Sequence, residues 1–315
     1  MPWMEVTALQ RRTLDVLIGG DDHPVFSPGV AVRLRDRIEG AVRGLEPPDP
    51  LYLTKARLTD AGRCLGRLQA ALLREGPAFE HSDRTAGGLL MHKAIELEVG
   101  GREERDPHGL VELAARRLDD ADRGFAAYWN SLDAVGRDEL LMRAMAALVL
   151  FRETFPPLRQ RRAELVPMVE WRFRAELAGG ALILDGRVDL SLGRQAAPES
   201  GRLLIDLKGE GARPEHAEDM RFYALVHALR FGVPPYRVAT VFLASGEWQL
   251  EDVTVEVLEH AVDRVVGAVR GAASVAGGAP PPLTPGRHCD WCPRSRTCPA
   301  SASEPAGRRE ASRAH

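Results

Sequence analysis

Lysine is nearly missing from this chain. Of 42 basic residues only Lys55, Lys93 and Lys208 are lysines, which leaves 42 − 3 = 39 arginines. A chain that writes its ordinary surface cations as arginine keeps a lysine where a compact ammonium is wanted, so those three positions are candidates for chemistry. Long apolar runs are missing too. The longest, Ala144 to Phe151, falls far short of a membrane span. Met1-Pro2-Trp3-Met4-Glu5 offers no basic stretch leading into an apolar block, so no signal peptide is expected and a cytoplasmic location is the expectation. A large excess of one charge is absent: the net charge is −3, so bulk electrostatics do not announce a polyanion partner. What remains, with 44% hydrophobic and 28% charged residues, is the composition of a globular domain and not of a disordered, collagen-like or coiled-coil chain.

Cysteine is scarce but clustered. Cys289, Cys292 and Cys298 fall within ten residues, and Cys64 stands 289 − 64 = 225 positions upstream. In a reducing compartment this pattern points to a metal site before a disulfide framework. The plain alternative is an incidental Cys-x-x-Cys with two unrelated buried thiols. Four thiolates suit tetrahedral zinc or an iron–sulfur cluster, and spacing alone does not choose.

Periodicity divides the chain. Up to about residue 165 it reads as helical: Ala31 to Leu45, a helix capped at Thr59 or Asp60 and running to Leu72, Gly87 to Val99, Gly109 to Leu132, and Arg137 to Phe155. Strands follow at Met168 to Leu177 and Ala181 to Leu192 around Gly179-Gly180, then Arg202 to Lys208, Tyr236 to Ala244 and Trp248 to Val255. Helices are expected at Pro214 to Phe231 and Val257 to Val275. A Gly/Pro-rich linker leads to the cysteine triplet, and a disordered tail is expected over 301–315.

The strand residues suggest a reaction. Asp206 and Lys208 are two apart and share one face of a strand, and Asp189 in Gly186-Arg187-Val188-Asp189 converges on them if the strands are neighbours. Two carboxylates that hold Mg²⁺ or Mn²⁺, beside an ammonium, form a kit for phosphodiester hydrolysis. The alternative is a charged pair that merely ends a strand in solvent. Nucleic-acid contacts would have to be local, and the densest arginine runs are Arg159, Arg161 and Arg162 with Arg172 and Arg174, and Arg287, Arg294 and Arg296 near the cysteines.

The order of these features resembles the RecB-like branch of the PD-(D/E)XK nuclease superfamily, in particular its iron–sulfur members such as the AddB nuclease domain and the CRISPR-associated RecB-like exonucleases. The carriers are Cys64, Gly88-Leu89-Leu90-Met91-His92, Gly186-Arg187-Val188-Asp189, Asp206-Leu207-Lys208, Asp219-Met220-Arg221-Phe222-Tyr223, and the cysteine triplet. The resemblance implies an α/β, restriction-endonuclease-like mixed sheet flanked by helices. It divides the chain into a helical extension at 1–58 and a nuclease domain at 59–300: a helical part to 165, a sheet core at 166–275 and the cysteine segment at 286–300. It implies that His92, Asp189, Asp206 and the Leu207 carbonyl bind Mg²⁺ or Mn²⁺, that Lys208 is the catalytic lysine, and that the four cysteines hold a 4Fe–4S cluster. Glu170 would stand in a supporting position, and Tyr223 would brace the carboxylates or touch DNA. Asp219 departs from the glutamine of the pattern; it is expected to pair with Arg221 or Arg187, or to help hold the metal. The implied activity is cleavage of DNA, on single strands or ends, in repair, recombination or defence. With no Gly-x-x-x-x-Gly-Lys-Ser/Thr loop, unwinding would require a helicase or another protein subunit. The competing reading is a non-catalytic DNA-binding or scaffold subunit with the same fold.

Overall fold

The computed structural model describes residues 6–302 apart from 20–22, 49, 102–103, 195–199 and 210. The tail expected over 301–315 lies outside the described residues from 303 onward. In chain order the elements are α1 (Ala8–Ile18), α2 (Val30–Val42), β1 (Leu51–Leu53), α3 (Lys55–Arg63), α4 (Leu65–Leu72), α5 (Asp83–Gly100), α6 (Pro107–Ala121), α7 (Arg123–Ser131), α8 (Ala134–Thr154) and the short α9 (Arg162–Leu165). The second half holds β2 (Met168–Leu177), β3 (Leu182–Gly193), β4 (Arg202–Lys208), α10 (Pro214–Phe231), β5 (Arg237–Phe242), β6 (Glu247–Asp252), α11 (Val255–Ala276) and α12 (Pro299–Ala302). Among the described residues, no helix is long and apolar enough to cross a membrane.

Two expected helices are each a pair. Asp122 ends α6 and caps α7, its carboxylate accepting from the Gly124 and Phe125 N–H groups, so 109–132 cannot run through. Cys64 is extended, at φ −164°, and separates α3 from α4; α3 itself is capped by Thr54, earlier than Thr59 or Asp60. α1 and β1 had no counterpart in the sequence reading. β1 is only three residues long, too short for a periodic signal.

The six strands form one mixed sheet in the order β1-β3-β4-β5-β6, with β2 on the other edge of β3. β1 joins it in parallel at Leu182–Leu184 of β3, so the sheet takes a strand from the segment before residue 59. Helices cover both faces. α2, α10 and α11 pack with Phe173, Leu184, Leu204 and Val238 on one side; α5, α6 and α8 pack with Leu190, Leu203, Ile205 and Val241 on the other. This is the expected α/β, restriction-endonuclease-like sheet flanked by helices.

Facing along β2 and β3 reverses once. Phe173, Ala175 and Leu177 of β2 lie in the first core, whereas Val169, an even number of positions away, packs against the second. On β3 the same change falls between Val188 and Leu190. A regular strand keeps positions of one parity on one face, so something must turn the chain between them. Glu170 does, with a left-handed φ of 48° that a non-glycine residue adopts at a cost.

Candidate active site

The reversal builds the site. In the β2–β3 register, Val169 pairs with Leu190 and Trp171 with Val188, which sets Glu170 opposite Asp189; no ladder pair forms there. In the β3–β4 register, pairing stops at Leu190 and Ile205, which sets Asp189 opposite Asp206 one step beyond the last rung. Three carboxylates on three adjacent strands therefore stand in one row where both ladders lapse. The Leu207 N–H, released from the ladder, donates to Asp189 Oδ2 at 2.6 Å.

His92 comes to this row from α5, whose start is secured by a capping box of Ser82 and Thr85. Its Nδ1 lies 3.4 Å from Asp189 Oδ1 and 3.9 Å from Glu170 Oε1. Ligand atoms of His92, Glu170 and Asp189 all fall within 4.8 Å of one another. His92 Nδ1 is buried and has no hydrogen-bond partner. A buried imidazole nitrogen without a partner, aimed between two carboxylates, fits a divalent cation, whose hard oxygen ligands the carboxylates supply. Burial pushes the Asp189 carboxyl above its usual range, with His92 only partly opposing it; burial and the neighbouring Asp189 charge do the same to Glu170, despite Arg187 at 3.2 Å. Both shifts come chiefly from taking the carboxylates out of water, with a neighbouring carboxylate adding to each.

Asp206 faces the other way, toward α10. Its side chain is 4% exposed and is held by two ammoniums: Lys208 contacts Oδ2, and Lys55 Nζ lies 3.5 Å from Oδ1. Burial alone would raise the Asp206 carboxyl, but Lys55 and Lys208 overcome it and hold it below the usual range. Lys208 and Asp206 share a face, as their spacing requires.

Asp219 pairs with neither arginine expected for it. Arg221 is taken by Glu251 and Glu218, Arg187 by Glu170, and Asp219 Oδ2 instead lies 3.6 Å from Lys55 Nζ. The Lys55 ammonium also stands over the Tyr223 ring, 5.4 Å from its centroid. Tyr223 is buried in the first core. Gly186 explains its own place: a Cβ there would meet both the Phe173 and Tyr223 rings at 3.1 Å, so only glycine lets α10 close on β3 without displacement.

Lys55 is the residue that the motif comparison missed. The scarcity of lysine marks it, and its place at the first turn of α3, directly after β1, sets it beside Asp206 and Asp219. Lys93, the third lysine, pairs with Glu96 at 2.6 Å along α5.

Beside the row opens a groove of about 770 Å³, lined among others by Gly88, His92, Leu207, Lys208, His216 and the arginines 84, 143 and 213. These are not the arginines that sequence density singled out. Arg159 pairs with Glu104, Arg161 with Glu164, Arg172 and Arg174 with Asp185, and Arg294 with Glu75. Gly88 has no neighbour that a Cβ would strike, and it leaves the groove wall open next to His92.

All four cysteines are free thiols, half-buried, and they line one small cavity with His288. Cys64 reaches it from the break between α3 and α4, the other three from the C-terminal segment. That segment is also tied to α4 directly, by Arg67 donating to the His288 carbonyl at 3.0 Å and by Arg294 bonding Gln69 and Glu75 at 2.6 Å.

Among solved structures the chain is similar to SSO0001, at 13% identity and a TM-score of 0.35, covering 85% of this chain and 94% of that one. It is also similar to a structure described as a "putative exonuclease" from Eubacterium rectale, at 13% identity and a TM-score of 0.46, covering 82% and 92%. No curated protein matches the sequence. The family model of the PD-(D/E)XK nuclease superfamily matches residues 53–299, a span that begins at the last residue of β1 and takes in the carboxylate row, Lys208 and all four cysteines, and the chain belongs to that superfamily.

Proposed function

We propose that this protein is a Mg²⁺- or Mn²⁺-dependent deoxyribonuclease that hydrolyses phosphodiester bonds on single strands or strand ends. One observation carries the reading: His92, whose orphaned nitrogen stands at ligand spacing with Glu170 and Asp189, lines a groove together with Lys208 and three arginines. His92, Glu170 and Asp189 would hold the cation, with Asp206 next to them. When bound, such an ion supplies an activated water and neutralises developing phosphate charge. Lys208, fixed by Asp206 at the groove, holds an ammonium where a phosphate oxygen or the attacking water needs one. Leu207 N–H orients Asp189, so that one carboxylate oxygen is committed and the other is free for the cation. Arg84, Arg143 and Arg213 are suited to backbone phosphates along the groove, whichever base they carry.

The cysteines are assigned to a 4Fe–4S cluster with a structural role, zinc being the alternative. Four soft thiolates converging on one cavity suit either group, and closing a loop of more than two hundred residues is where a clip stabilises most. Any ATP-driven unwinding would fall to a helicase or another protein subunit, in repair, recombination or defence.

The test pairs two readouts on anaerobically purified protein: visible absorption, and cleavage of end-labelled single-stranded DNA with Mn²⁺. Lys208→Ala is expected to lower cleavage by about 10²-fold or more while leaving the absorption unchanged. DNA left intact by the wild-type protein under these conditions refutes the activity, and a colourless protein containing zinc refutes the cluster.

A further inference from the structure

The Lys55–Asp219 pair has no place in the chemistry above. Asp206 is the one carboxylate of the row with a cation on each oxygen, Lys208 on Oδ2 and Lys55 on Oδ1. Lys55 in turn is balanced by Asp219 at 3.6 Å and seated on the Tyr223 ring. The Lys55 side chain is 32% exposed, against 4% for Asp206 and 15% for Asp219, so the pair reaches in from the rim toward the buried row. The Lys55 ammonium is thus held between Asp206, Asp219 and the Tyr223 ring. Asp219 stands where the resembled pattern has a neutral glutamine, and the partner that explains its charge is a lysine in a chain that scarcely uses lysine.

We propose that Lys55 is a positioning residue that clamps Asp206 Oδ1, and that Asp219 cancels Lys55's charge so that the clamp does not repel the divalent cation at His92, Glu170 and Asp189. This inference rests on the metal-dependent reading of the site. The two residues then act on the cation in opposite directions. Removing Lys55 takes away a positive charge and tightens cation binding, although Asp206 is left loose and turnover falls. Removing the charge of Asp219 leaves Lys55 uncompensated and weakens cation binding. Removing both returns the affinity close to its starting value. A pair with a merely structural role predicts a loss of affinity in each single variant.

The experiment is Mn²⁺ titration calorimetry on the full-length protein with Lys55→Gln, Asp219→Gln and the double variant, beside His92→Ala, with kcat and KM measured on a single-stranded oligonucleotide. Lys55→Met and Lys55→Arg are made in parallel, and thermal melting checks that each variant is folded. Mn²⁺ is expected to bind about tenfold tighter in Lys55→Gln, about tenfold weaker in Asp219→Gln, and within about threefold of wild type in the double variant. Lys55→Gln is expected to lower kcat by about tenfold or more with KM little changed, and Lys55→Arg to restore part of it. Single variants that shift affinity in the same direction, or not at all, overturn the proposal. Wild-type protein that binds Mn²⁺ no better than His92→Ala overturns the metal-dependent reading itself, and the clamp with it.

Discussion

His227 makes the stability of this fold depend on pH in a way that can be calculated. It lies on α10, the helix that also carries Asp219 and Tyr223, and it is fully buried. Nδ1 lies 3.1 Å from the Val233 carbonyl, to which it donates as the neutral ring, and Trp171, Phe173 and Phe231 surround it. Burial pushes its pKa down to about 3, with the Val233 hydrogen bond only partly opposing and Arg202 adding to the fall. In the unfolded chain a histidine titrates near about 6.5. The folded value is the depressed one, so the unfolded state takes up the proton first as pH falls. The contribution is therefore intact above about pH 6.5 and is lost at about 1.4 kcal/mol per pH unit down to about pH 3. Between about pH 7.5 and about pH 5 this amounts to about 2 kcal/mol. His227→Asn keeps a donor for Val233 without the titration. It costs about 1–3 kcal/mol at neutral pH through lost packing. Urea unfolding of both proteins at the two pH values isolates the histidine, because every carboxylate titrates alike in the pair. The wild type is expected to lose about 2 kcal/mol more than the variant on acidification. Equal losses would refute the assignment of a buried neutral imidazole.

Two further outcomes follow from contacts at the site. Gly186→Ala places a methyl 3.1 Å from two packed rings that have no free end to yield, so thermal unfolding is expected to report a loss of about 1–3 kcal/mol, and nuclease activity to fall because Tyr223 seats Lys55. Arg143 lines the groove and pairs with Glu139 at 3.2 Å on an exposed helix surface, so Arg143→Ala is expected to leave stability nearly unchanged. It should reduce the salt dependence of single-stranded DNA binding by about 0.7 in log–log slope; an unchanged slope would remove Arg143 from the phosphate track.

The strain at Glu170 gives the site its form. A left-handed residue in the middle of a strand costs of order 1–3 kcal/mol. Here it interrupts the β2–β3 ladder opposite Asp189, while the β3–β4 ladder ends one rung short of Asp206. Two breaks at one level leave side chains, and one released N–H, to converge where backbone pairing would otherwise have kept three strands evenly spaced.

What could be read without coordinates was local or ordered along the chain. Alternation identified β2, turn residues and short apolar runs the later strands, helical period identified α5, α8, α10 and α11, and the succession of short motifs brought His92, Asp189, Asp206 and Lys208 into one hypothesis. These signals survive in sequence because each depends on a few neighbouring residues. β1 was invisible, because three residues carry no period and its pairing with β3 spans more than 120 positions. With β1 went the meaning of Lys55: composition marked it, but the packing of β1 and α3 in the folded chain is what sets it beside Asp206 and Asp219. Glu170 was expected in a supporting position; the left-handed turn of its own backbone, which no residue type announces, sets it at ligand spacing with His92 and Asp189. The groove arginines were likewise a matter of tertiary structure. Density along the chain measures how many charges are near one another in sequence, and folding neutralised most of those against carboxylates. Sequence by itself determined which chemical groups this protein carries and in what order; the sheet decided which of them face one another, because the distances that matter here are set by strand pairing and by where it stops.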